Sequence, residues 1–131
     1  MIRQNSQIRW GLIACVMASN AYGSCVLPVP DSGGGSAPIV AGWIRNIRLP
    51  LVELYDKESS KTYLFMIKSS MKVYTAFGGD GNPSDMKIGL AARVWTHDCK
   101  PADPATKNSV AYFEVFSFSE NDKPPKSYFR R

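Results

Sequence analysis

The densest run of chemistry-capable side chains in this 131-residue chain is His97-Asp98-Cys99. A metal is the first idea such a run suggests. Neighbours on extended backbone point to opposite faces, so three in a row cannot converge on one ion. A structural zinc also needs four ligands, and one His with two usable cysteines falls short. No metal and no other cofactor is expected. The segment Asp80-Gly81-Asn82-Pro83-Ser84-Asp85 starts like a calcium loop. It then puts Asp85 where the loop needs glycine and Ala91 where it needs the closing glutamate. An ordinary turn is expected there.

Nucleophilic catalysis needs a base beside the nucleophile. His97 is the only histidine, and no G-x-S-x-G surrounds any serine. Gly33-Gly34-Gly35 lacks the Lys-Ser/Thr of a phosphate loop. Glu53 and Glu114 fall in predicted strands and could form a glycosidase pair, which leaves a small hydrolase using strand carboxylates as one alternative. The main expectation is a protein that is not an enzyme.

What remains is aromatic surface. Trp95 sits between Arg93 and His97 on the polar face of a predicted strand. Tyr112, with Phe116 and Phe118, and the pair Tyr63 and Phe65 lie on strands that could flank it. Trp and Arg are enriched in binding hot spots, and aromatic rings also stack on sugars. Arg93, Trp95, His97 and Tyr112 are therefore the candidate site for a partner or a glycan. The bland reading is that both sheet faces are covered and Trp95 is packing.

The net charge of +5 does not make this a nucleic-acid protein. Arg3 and Arg9 lie at the head, and Lys123, Lys126, Arg130 and Arg131 lie in the tail. Between Ser24 and Asn121 the ten basic residues meet ten acidic ones. A neutral body has no electrostatic footprint for a polyanion.

The head has the order of an export signal. Met1 to Arg9 is polar and cationic, Trp10 to Ala18 is apolar, and Ala21-Tyr22-Gly23 puts small residues before Ser24. Ser19-Asn20-Ala21 is a second such site. The apolar run is too short for a bilayer, which needs about 20 residues. Residues 1–23 are thus expected to be a signal peptide that takes Cys15 with it. Cys25 and Cys99 remain. They could pair in an oxidising compartment. Alternatively Cys25 is the first mature residue and carries a lipid, although Tyr22 stands where an aliphatic residue is usual. Pairing, anchoring and neither stay open. Residues 24–38, with Pro28, Pro30, Pro38 and the glycine run, read as a flexible linker.

The elements that must position these residues are strands. From residue 39 to 119 the dominant period is two. In Lys87 to His97, one face carries Ile88, Leu90, Ala92, Val94 and Thr96. Leu51 to Tyr55 and Thr62 to Lys68 flank DKESSK and read as a hairpin. Met71 to Phe77, Val110 to Ser119 and a bent Ala41 to Arg48 complete the set, with one helical turn at Pro83 to Met86. The expected fold is all-β, a small five- to six-stranded antiparallel barrel of OB type or a sandwich. Residues 120–131 read as a basic exposed tail in which Tyr128 and Phe129 are out of place.

The functional expectation is an exported, non-catalytic binding protein, periplasmic or secreted. Its partner would be another protein, as for an inhibitor, an immunity protein or an envelope-assembly component. A glycan-binding OB-like module of a toxin-type assembly is the alternative. No nucleic acid is expected, and a membrane only through a lipid on Cys25.

Overall fold

The computed structural model describes residues 24–30 and 34–131. The expected signal peptide, residues 1–23, and the linker centre, 31–33, lie outside the described residues.

The described residues form eight strands: β1 Val40–Arg48, β2 Leu51–Asp56, β3 Lys61–Met66, β4 Val73–Thr75, β5 Asp80–Gly81, β6 Ala91–Trp95, β7 Lys107–Ser109 and β8 Tyr112–Val115. They form one sheet in the order β5-β4-β8-β6-β1-β2-β3-β7. The all-β expectation holds. The barrel, OB-like and wholly antiparallel expectations do not, because β3–β7 and β4–β8 pair in parallel and no ladder joins the terminal strands.

The sheet is nevertheless strongly curled. In the sheet order β7 and β8 are five strand spacings apart, about 24 Å on a flat sheet. Along the chain only Val110 and Ala111 separate them. Three Cα steps of about 3.8 Å cannot cover that gap, so the sheet bends back on itself. Ile44, Leu54, Phe65, Val94 and Phe113 fill the concave side and are fully buried. Side chains of this size each stabilise by about 1.5–3 kcal/mol when removed from water.

The predicted hairpin is present with the expected alternation: Val52 and Leu54 point inward and their neighbours are half-buried. Beta1 makes its close approach at Gly42, where an added Cβ would overlap the Tyr55 carbonyl. Its register slips further along, between Ile44 and Asn46. The long strand expected over Lys87 to His97 is only Ala91–Trp95. Gly89 takes a φ of +97°, which turns the chain and leaves Ile88 58% exposed. Beta5 and β7 are too short to show a period.

The convex side is covered as well. A strap at residues 24–30 is tied down by the Cys25–Cys99 disulfide, which resolves the cysteine question in favour of pairing. Val26 and Ser36 clasp each other through two hydrogen bonds, Val26 N–H to Ser36 Oγ and Ser36 N–H to the Val26 carbonyl. At the other terminus residues 120–127 of the tail are exposed except for Pro124, which is half-buried. The tail then docks through a 3-10 turn at Lys126–Phe129 that buries Tyr128 and Phe129.

Candidate functional site

Arg93 and Trp95 lie on β6, opposite Glu114 and Tyr112 of β8. Alternation sends all four to the convex face. Arg93 Nε donates to Glu114 Oε1 at 3.0 Å, and the Tyr128 hydroxyl donates to the same oxygen at 2.9 Å. The guanidinium lies 4.5 Å from the Tyr128 ring centroid and 5.5 Å from that of Trp95. Burial, and after it the negative field of Glu114, push the Tyr128 phenol far above the ordinary tyrosine range. The phenol therefore stays a hydrogen-bond donor at any physiological pH.

Trp95 is only 2% exposed, so the expectation of an exposed indole is not met. Its Nε1 donates at 2.7 Å to the carbonyl of Ser36, the residue that clasps Val26 of the strap. Tyr112 is also buried; it stacks on Tyr74 and meets Trp95 edge-on. Phe116 follows on the same face, edge-on to both Phe77 and Tyr128. Tyr63 and Phe65 do not flank Trp95, because β1 and β2 intervene between β6 and β3. Arg93, Trp95 and Tyr112 thus share one cluster, while His97 stands apart on an exposed 3-10 turn.

The cluster opens to solvent at one place. A groove of about 240 Å³ runs between the strap, at Pro28–Pro30, and the turn after β4, at Thr75–Gly78. Tyr112 and Glu114 line its inner wall. Glu114 has 9% of its side chain accessible, and Arg93 and Tyr128 both donate to its Oε1. Phe77 at 72% exposure and Val29 at 59% stand on opposite lips. The arrangement offers apolar contact on both sides and a hydrogen-bond-accepting carboxylate at the base.

Glu53 does not join Glu114. It is on β2, three positions away in the sheet, and lines a separate hollow with Asn46, Arg48 and Leu51. Cys99 is committed to the disulfide and Asp80 to an ion pair with Lys72. Asp85 accepts the Asn82 N–H, as a turn residue would. Among the described residues no three His, Cys, Asp or Glu side chains gather as metal ligands.

The sequence reading missed Glu114 as the partner of Arg93, and Phe77 as the exposed group. The first could be found only from cross-strand register. The second had a faint signal, a phenylalanine directly before Gly78-Gly79. Comparison with protein-family models, curated proteins and solved structures finds no match for this chain.

Proposed function

We propose that this chain is an exported, non-catalytic module that binds another protein through the groove between the strap and the β4–β5 turn. The observation that carries the reading is the exposure of Phe77 and Val29 at the lips of a groove whose other lining aromatic, Tyr112, is buried. Large apolar side chains left in water beside a concave surface mark contact sites. The Cys25–Cys99 disulfide supports a non-reducing location, and among the described residues no helix is long and apolar enough to cross a membrane. The glycan alternative drew on an OB-like barrel, and the open curled sheet withdraws that support. The hydrolase alternative needed Glu53 and Glu114 together, and they are apart.

The test is a photo-crosslinking amino acid placed at position 77 and, as a control, at position 123 on the exposed tail. Expressed in the native host, the position-77 protein should yield one discrete adduct that the control lacks. Phe77→Ser should weaken the purified complex with that adduct partner roughly tenfold, as loss of an aromatic anchor does, while the free protein stays folded and loses only the edge-on contact with Phe116, about 0.5–1.5 kcal/mol. No adduct at position 77, or an identical adduct from both positions, overturns the assignment.

A further inference from the structure

His97 lies outside the aromatic cluster, and its surroundings have a chemistry of their own. The curled sheet leaves a seam where β7 ends it. Beta7 pairs with β3 on one side and is the terminal strand on the other. In a strand paired on one side only, alternate main-chain N–H and C=O groups point away from the partner. Along β7 runs a cavity of about 450 Å³, whose far wall is the turn from Thr96 to Pro101. Its polar lining includes Thr96, His97, Lys100, Lys107 and Ser109. A second cavity of about 290 Å³ continues from it, sharing His97 and Ser109. This one is largely apolar, walled by Met66, Met71, Val110 and Ala111, with Lys68 at its edge.

Charge is one-sided here. Lys68, Lys100 and Lys107 are exposed, and none belongs to an ion pair among the described residues. The acid in the lining is Asp103, which keeps its charge while its Oδ1 accepts the Ala105 N–H, so the lining sets two lysines against one carboxylate, with Lys68 added at the edge of the adjoining hollow. Three features coincide: a terminal strand edge, an excess of cations beside it, and an apolar hollow at its end.

We propose that the seam is a second binding site, for an extended acidic segment of a partner protein that adds to β7 as a ninth strand. Main-chain hydrogen bonds to β7 hold the segment, and alternate side chains select it. Carboxylates on one side of the segment meet Lys100, Lys107 and His97. One apolar side chain enters the hollow between Met66 and Met71. A flat anionic membrane fits poorly, because the cations flank a concavity rather than a plane.

The probe is a fluorescent octapeptide of alternating glutamate and leucine, with a lysine–leucine peptide as the charge-reversed control. Fluorescence polarisation at low salt should show binding of the acidic peptide alone. The double variant Lys100→Glu/Lys107→Glu, both sites being exposed, should weaken it about tenfold or more. An acidic peptide with N-methylated amides should not bind, and amide shifts should concentrate at Lys107–Ser109. Phe77→Ser should leave this binding unchanged, so the two surfaces are judged separately. Equal binding of both peptides, retention by the charge-reversal variant, or retention of the N-methylated peptide overturns the proposal. So does capture by phosphatidylglycerol vesicles without peptide binding, which would make the seam a lipid contact.

Discussion

At the residue scale the most consequential group is Glu114. A carboxylate with so little accessible surface is stable only while its partners stay in place, and Arg93 and Tyr128 share one of its oxygens. Removing one member of a buried pair leaves the other charged and uncompensated, at a cost near 3–5 kcal/mol. Arg93 keeps about a quarter of its side chain in water, so the cost should fall at the low end. Arg93→Met is expected to lower urea stability by about 2–4 kcal/mol. The double variant Arg93→Met/Glu114→Gln should cost clearly less than the two single changes added together. Additive costs would mean that the two groups do not interact. Tyr128 gives a pH signature. Its pKa is raised in the fold, so the unfolded chain releases the phenol proton first, near pH 10. The stabilisation is complete below that pH and declines as the pH climbs above it. The wild type should therefore lose stability more steeply above about pH 10 than Tyr128→Phe does. Parallel denaturation profiles in alkali would show that the phenol is solvated.

At the element scale, period two was a sound guide to strands with one buried face and a poor guide to their ends. Beta2 was legible because Val52 and Leu54 alternate with less buried neighbours over its whole length. The segment Lys87–Leu90 carries the same alternation, but Gly89 at positive φ overrides it locally. Beta7 was illegible because Lys107-Asn108-Ser109 has no apolar residue and is held by pairing with β3 alone. The bend anticipated at Gly42 is better described as a contact: β1 passes so near β2 that no side chain fits. Gly42→Ala must push the Tyr55 backbone aside and break the β1–β2 register around it. A loss of about 2–3 kcal/mol is expected, at the upper range for overpacking. Hydrogen exchange should locate the damage in β1 and β2 rather than at the distant β4–β5 edge. A variant as stable as the wild type would mean that the two strands can separate at no cost.

At the scale of the whole molecule, two chain ends close what one sheet leaves open. The concave side is filled by strand residues together with Ile67, Met86, Leu90 and Val110 from the connections, while the convex side depends on the strap and the tail. That division explains why Trp95 was misread. Its strand neighbours Arg93 and His97 are polar, and no local pattern shows that Ser36, fifty-nine positions earlier, covers the indole. Arg131 performs the same service at the far end: it donates to the buried Asp56 carboxylate at 2.8 Å and to the Ile39 carbonyl at 2.9 Å. Asp56 also accepts the Ala41 and Ser59 N–H groups, so the tail secures a carboxylate that is already partly satisfied. The strap is cross-linked to the turn that follows β6. The bond joins residues 74 positions apart. Closing a loop of that length in the unfolded chain is worth roughly 4–5 kcal/mol in the chain-entropy treatment. Reduction should therefore do two separable things. Cys25→Ser/Cys99→Ser should lower the free energy of unfolding by about that amount. In a chain starting at Ser24 and carrying Trp43→Phe, Trp95 is the one remaining tryptophan. Its emission should shift to the red on reduction, under conditions where far-ultraviolet dichroism still reports the folded sheet, because the strap lifts before the sheet melts. Emission that stays blue until global unfolding would show that the strap holds without its disulfide, and that the cross-link acts only on the unfolded chain.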